Sequence, residues 1–236
     1  MLEVGQLTYR YPVEQCEPMI FDLDVAAGEI LSIIGPSGSG KSTLLNLIAG
    51  FLDADSGSIR VDGESIGHLP SAQRPVTMVF QQHNLFPHLD LYTNIALGAD
   101  PSLKLDPAQR EAVSSAIARL GLRGFEGRKP GALSGGQRQR VTLARAMVRA
   151  RRVLLLDEAF AALGPALRSE LIELVADLVR ERGIAALLVS HQPRDALIAS
   201  ARTAFVQAGR VTALQPTREL LETPALAEVQ EYLGSM

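Results

Sequence analysis

The sequence predicts an α/β protein with a mostly parallel core sheet, an antiparallel β portion at the N-terminus and a helical insertion at about residues 82–150. Three observations carry that expectation. Residues 29–34, 153–156 and 185–189 are short, nearly continuous apolar runs, the pattern of strands covered on both faces. Helical patterns follow them at 42–49, 165–181 and 193–200, with a further strand at 203–206, and such alternation builds a parallel sheet. The residues before Asp62-Gly63 read instead as successive strands without helices between most of them.

Leu7, Tyr9 and Tyr11 alternate with polar neighbours, the two-residue period of a half-buried strand, and residues 20–25 form the next strand. Residues 58–61 form a short strand closed by the turn dipeptide Asp62-Gly63, and 76–80 form another. Asp106-Pro107, an N-cap with proline at the first helical position, opens a helix that runs to about Leu120 and stops near Gly121. Ala112, Ala116, Ile117 and Leu120 are expected on its buried face. A glycine-rich stretch at 127–136 precedes a second helix, expected from Gln137, with Val141, Ala144 and Val148 on one side.

Composition removes several function classes. The formal net charge is −3 over 236 residues, which gives no electrostatic reason to expect nucleic-acid binding. Most of Arg138, Arg140, Arg145, Arg149, Arg151 and Arg152 are expected on the solvated face of one helix and the turn after it. No stretch approaches the ~20 uninterrupted apolar residues of a membrane span. The start of the chain lacks the basic end and apolar centre of a signal peptide, so a soluble protein is expected, reaching a membrane only through a partner. Cys16 is the single cysteine and excludes an intrachain disulfide; a small buried hydrophobe in a reducing compartment is expected there.

Gly35-Pro36-Ser37-Gly38-Ser39-Gly40-Lys41-Ser42 matches G-x-x-x-x-G-K-[ST] and stands between a strand and a helix, the context a phosphate-binding loop requires. Gly38 and Gly40 let the backbone wrap round an anion, and the N–H groups at the helix start, through Thr43, point at phosphate oxygens. Lys41 is placed for the β- and γ-phosphates of a nucleotide, and the Ser42 hydroxyl for Mg²⁺, though the loop alone leaves many NTPase families open. The strand at 153–156 ends in Asp157-Glu158. Carboxyl ends of parallel strands are where ligands bind, so Asp157 is placed to hold Mg²⁺ and Glu158 to orient or deprotonate an attacking water.

Leu133-Ser134-Gly135-Gly136-Gln137, ahead of the arginine-bearing helix, resembles the signature motif of ABC ATPases. The resemblance covers nearly the whole chain and implies a P-loop NTPase fold of ABC type over residues 1–236, without a C-terminal regulatory domain. It implies a homodimer in which each ATP lies between the phosphate loop of one subunit and Ser134, Gly135, Gly136 and Gln137 of its mate. Gln81 then matches the family's glutamine loop, in contact with Mg²⁺ and water, and His191 matches the switch histidine near the γ-phosphate. Tyr11 matches the aromatic position that stacks on adenine, with Tyr9 as the rival.

The chain departs from the family twice. Ala159 stands where D-E-P is usual, and Ala161-Ala162-Leu163-Gly164 replaces S-A-L-D, so the interface aspartate is missing and Gly164 is expected to relax the backbone. The stretch from Arg74 to Leu89 resembles bacterial importer ATPases, with Leu85, Phe86 and Leu89 candidates to line a groove for a helix of the membrane subunit. Residues 94–98 and 101–105 resemble the ATP-binding subunits of thiamine importers. Two membrane-spanning permease subunits, a periplasmic solute-binding protein and a peripheral place on the cytoplasmic face of the inner membrane follow from that resemblance. Importers of iron, polyamines or oxyanions, and soluble ABC ATPases, remain open alternatives, as does a subunit that binds ATP and barely hydrolyses it. Restoring the acid by Gly164→Asp is expected to raise turnover or cooperativity in steady-state ATPase assays; unchanged kinetics contradict that expectation.

Overall fold

The computed structural model describes residues 1–12, 17–81 and 84–234, and the expectation for Cys16 falls outside them. In chain order the elements begin with β1 (Leu2–Tyr9), β2 (Met19–Val25), β3 (Ile30–Ile34), α1 (Lys41–Ala49), β4 (Ser56–Val61), β5 (Glu64–Ser65) and β6 (Val76–Val79). Three helices follow, α2 (Leu91–Ala99), α3 (Pro107–Arg119) and α4 (Gly135–Val148). Then come β7 (Val153–Asp157), α5 (Pro165–Arg182), β8 (Ala185–Val189), α6 (Pro193–Ala199), β9 (Arg202–Gln207), β10 (Arg210–Pro216), α7 (Thr217–Glu222) and α8 (Ala227–Gly234).

Ten strands among the described residues form one sheet in the order β5-β4-β1-β2-β10-β9-β3-β8-β7-β6. The run from β9 through β3, β8 and β7 to β6 is parallel, while β1, β2, β4 and β5 pair antiparallel. Alternation within the buried strands divides their side chains between two cores. Leu31 and Ile33 of β3, with Ala185, Leu187 and Val189 of β8, join α1 and the N-terminal strands. Ile30 of β3, with Ala186 and Leu188 of β8, joins α2 to α5 on the opposite face. The apolar runs have no polar face because both faces are covered.

Helix starts follow side-chain caps. Asp106 accepts from Gln109 N–H at 2.7 Å, and Gln109 Oε1 accepts from Asp106 N–H at 2.9 Å, a capping box with proline at the first helical position. Val113, Ala116, Ile117 and Leu120 make the buried face of α3 and its end, whereas Ala112 is exposed. The expected face was thus one residue out at its start. The second helix begins at Gly135, not Gln137, because Ser134 rather than a later residue supplies the cap.

Three of the arginines also differ from expectation, whereas Arg149 and Arg152 are exposed as expected. Arg138 donates to Leu133 O at 2.9 Å, Arg140 to Leu120 O at 3.2 Å and Glu170 at 2.8 Å, and Arg145 to Asn84 O at 2.9 Å. All three are half-buried, and burial lowers the pKa of Arg145. Their aliphatic stems pack while the guanidinium forks satisfy loop carbonyls, so they tie α4 to its surroundings rather than face water.

Arg74 performs the same task more deeply. It is 2% exposed, and its guanidinium donates to Leu47 O at 2.6 Å, Ile48 O at 3.0 Å, Leu69 O at 2.9 Å and Gly67 O at 2.8 Å. A cation at the carboxyl end of α1 satisfies carbonyls that have no partner within the helix and suits the negative end of its dipole. Gly50, left-handed at φ 78°, leaves room for it, since a Cβ there would lie 2.6 Å from Arg74 Nε. Arg74→Met should therefore lower the unfolding free energy by about 2–4 kcal/mol, because several buried acceptors lose their donor together. Urea titration checks this: a midpoint shift at constant slope is expected, and an unchanged midpoint contradicts it.

Candidate functional site

Four parallel strands end side by side. Ile33 of β3 pairs with Val189 of β8, Val189 pairs with Asp157 of β7, and Leu156 pairs with Val79 of β6. The phosphate loop, Ser190-His191, Asp157-Glu158 and Phe80-Gln81 all therefore leave the sheet at the carboxyl ends of their strands, where open α/β sheets bind ligands.

The loop after β3 depends on glycine at the turn out of the strand. Gly35 has φ 145°, and a Cβ on it would fall 2.0 Å from the carbonyl oxygen of Val206. Gly40, left-handed at φ 103°, is the N-cap of α1 and makes no side-chain cap, so the first-turn N–H groups of α1 are left for an anion. Lys41 is 5% exposed and donates to Gly35 O at 2.8 Å and Pro36 O at 2.7 Å. Burial pulls its pKa down, and the carboxylates of Glu158 and Asp157 oppose the shift.

A cavity of about 400 Å³ is bounded by Ser37, Gly38, Gly40, Lys41, Ser42 and Thr43, with Tyr11, Met19, Glu158 and His191 completing its walls. Ser42 Oγ donates to Asp157 Oδ1 at 3.2 Å. Burial raises the Asp157 carboxyl above the usual carboxylate range, and the Ser42 hydroxyl opposes that shift. His191 Nε2 lies 2.5 Å from Glu158 Oε1. Glu158 itself is left-handed at φ 49°, unusual for a residue with a Cβ, and its N–H is anchored to Val189 O at 3.1 Å. The strand β8 thus holds a strained backbone that aims the carboxylate at the cavity.

Of the two aromatic candidates, Tyr11 reaches this cavity and Tyr9 is 9% exposed in the core behind it. The two rings meet edge to face at 4.9 Å, and Tyr11 Oη lies 2.9 Å from Thr43 Oγ1. Met19 was not singled out from sequence; an apolar residue opening a strand carries no signal of a ligand. Gly35, Pro36, Ser39 and Asp157 shape or support the cavity without lining it, and Gln81 stands exposed at the same end of the strands but outside its walls.

Ser134, Gly135, Gly136 and Gln137 are not among the residues around that cavity. They form the N-terminus of α4, where Ser134 Oγ accepts from Gln137 N–H at 3.2 Å and Gln137 Oε1 accepts from Ser134 N–H at 2.8 Å. Gly136 packs closely on α5: a Cβ there would come within 2.4 Å of Leu167 Cδ2, so the leucine side chain would have to move. Gly164, at φ −65° and ψ 155°, adopts an ordinary extended conformation, and nothing lies within 4 Å of a Cβ built there. An aspartate therefore fits there without strain.

A second cavity, about 470 Å³, opens between α1, β6, α2 and α4. Exposed Phe51 and Phe86 line it together with Phe80, which stacks on Phe51 at 6.1 Å. Leu85 packs into the helical core, and neither it nor Leu89 lines the groove.

Comparison with known proteins bears on this arrangement. A family model described as "ABC transporter" matches residues 19–161, a span holding the phosphate loop, Ser134–Gln137 and Asp157-Glu158. A Brucella suis protein named "Thiamine import ATP-binding protein ThiQ" is 53% identical over 218 residues, 92% of this chain and 90% of the relative. Proteins of the same name from Chelativorans and Shigella boydii are 48% and 47% identical over 99% and 96% of the chain. The ATP-binding cassette MJ0796, solved as a dimer bound to ADP and Pi, superposes with a TM-score of 0.80 at 28% identity, covering 92% of this chain and 99% of that one. The family model spans well over half of the sequence and the relatives span nearly all of it: the chain belongs to the ABC transporter family.

Proposed function

We propose that the chain is the ATP-hydrolysing subunit of a thiamine importer, working as a dimer that encloses two ATP molecules. Identity of 47–53% over more than nine-tenths of the chain to relatives named for thiamine import carries the solute assignment. The convergence of Lys41, Ser42, Glu158 and His191 on one cavity supports hydrolysis. In this reading residues 1–236 act as one nucleotide-binding unit, with the helices between β6 and β7 as its inserted part.

Each group then has a role that its surroundings suit. The N–H groups of the loop and of the α1 N-terminus take the phosphates, Lys41 the β- and γ-oxygens, and the Tyr11 ring the adenine. Ser42 Oγ and Asp157 Oδ1, 3.2 Å apart, offer the few hard oxygens that Mg²⁺ accepts beside phosphate ligands, so the donor set fits that ion. Once bound, Mg²⁺ neutralises charge developing on the β- and γ-phosphates. Glu158 orients water for in-line attack on the γ-phosphorus and takes its proton, ADP leaves with the β-γ bridging oxygen, and His191 holds the γ-phosphate. Gln81, on the neighbouring strand end, would follow Mg²⁺ and the water.

The α4 N-terminus lies away from its own chain's cavity, so its Ser134 hydroxyl and Gly135 and Gly136 N–H groups would serve the γ-phosphate of a second copy. In each copy the groove lined by Phe51, Phe80 and Phe86 would receive one apolar helix from one of two membrane-spanning permease subunits. No helix among the described residues is long and apolar enough to cross a membrane. Such docking would place the subunit at the cytoplasmic face of the inner membrane, with a periplasmic solute-binding protein acting across the permease.

Reconstitution with the native permease subunits and solute-binding protein tests the reading. ATPase activity should rise when the binding protein carries thiamine or its phosphates, and Glu158→Gln should reduce the stimulated rate by about 10²-fold or more while ATP still binds. Stimulation by another solute alone would overturn the thiamine assignment. A Glu158→Gln rate equal to wild type would overturn hydrolysis.

A further inference from the structure

Behind His191 lies a charge cluster that abuts the walls of the nucleotide cavity but does not itself line it. Arg168 in the first turn of α5 is 6% exposed, and Asp195 in the first turn of α6 is 2% exposed. Arg168 Nε lies 2.8 Å from Asp195 Oδ1, and Nη2 lies 2.5 Å from Oδ2. Ser190, 4% exposed, sits between them. Its hydroxyl donates to Asp195 Oδ2 at 2.6 Å and accepts from Arg168 Nη2 at 3.1 Å and from Gln192 N–H at 2.9 Å.

Stability alone does not account for this cluster. A buried ion pair is often no better for stability than apolar residues of the same volume. Arg168 also stands at the positive end of the α5 dipole, where a cation is unfavourable. What the cluster does fix is geometry. Ser190 and Gln192 are the two neighbours of His191, and the Ser190 hydroxyl closes a turn across it. On the other side, Ser190 N–H reaches Ile33 O at 3.4 Å, at the base of the phosphate loop. The backbone around His191 is therefore held from both directions, and its imidazole stands 2.5 Å from Glu158. Arg168 N–H also bonds Gly164 O at 3.0 Å, which joins the cluster to the far end of the segment that starts at Glu158. Glu158, Arg168, Ser190 and His191 border one cavity of about 100 Å³.

We propose that Arg168, Asp195 and Ser190 are positioning residues for ATP hydrolysis: they set the backbone on both sides of His191 and hold its imidazole in register with Glu158. The inference rests on the hydrolase reading above. Displacing a reacting group by about 1 Å costs on the order of 10²-fold in rate, so loosening this backbone acts on turnover more than on affinity.

Steady-state kinetics of the full-length chain with Mg²⁺-ATP test it. Ser190→Ala should lower kcat by about ten-fold or more, leave KM for ATP within about two-fold and leave the melting temperature near wild type; Ser190→Thr, which keeps the hydroxyl, should recover most of kcat. The double variant Arg168→Met/Asp195→Leu removes both charges without orphaning either and should show the same split. A kcat within about two-fold of wild type in both variants overturns the proposal, as does a loss of kcat that tracks a fall in melting temperature. If Glu158→Gln is as fast as wild type, the hydrolase reading falls and this proposal with it. If only Glu158→Gln is slow, the positioning role alone is overturned.

Discussion

The register of the parallel strands is the constraint on which the site depends. Because Ile33, Val189 and Asp157 lie level across β3, β8 and β7, the loops that follow them emerge at one height. A slip of one residue in any pair would turn the strand's side chains to the wrong core and carry its loop out of reach of the others. The two-faced burial of these strands pays for that register, since every residue of β3 and β8 is buried and each side chain has one core that fits it. Packing on both sheet faces thus locates Lys41, Ser42, Asp157, Glu158 and His191 before any nucleotide contact is made.

Electrostatics then act on groups already in place. Lys41 and Asp157 are both burdened by desolvation, in opposite senses, and each is among the charges that favour the other's ionised form. Anionic phosphates beside Lys41 would relieve the first, and a divalent cation beside Asp157 the second. The left-handed backbone of Glu158 is offset by its N–H bond to β8, so the same strand that sets the register also holds the local strain. The Ser190 cluster extends this logic one layer outward, from the groups facing the cavity to the backbone that carries one of them.

Much of this was legible in the sequence because some residues answer to local rules. Gly35 to Ser42 reads as a phosphate loop between a strand and a helix, and Asp106-Pro107 reads as a helix start, without knowledge of distant contacts. Other features depend on what lies far away in the chain. Arg138, Arg140 and Arg145 look like a solvated face until Leu133, Leu120 and Asn84 carbonyls are seen beside them. Val113 rather than Ala112 faces the core because α2 and α4 fix how α3 is turned. The contacts joining Arg168 to Asp195 span 27 positions. Glu158's positive φ has no sequence signature at all.

In the proposed dimer a nucleotide is held by two copies of this chain, a phosphate loop from one and the Ser134 helix end from the other. Light scattering on the Glu158→Gln protein with ATP measures this most directly. The mass of two chains is expected with ATP, and of one chain when Ser134→Arg is added to the same protein. A Glu158→Gln protein that binds ATP and still weighs one chain at high concentration, even beside its permease subunits, would contradict it.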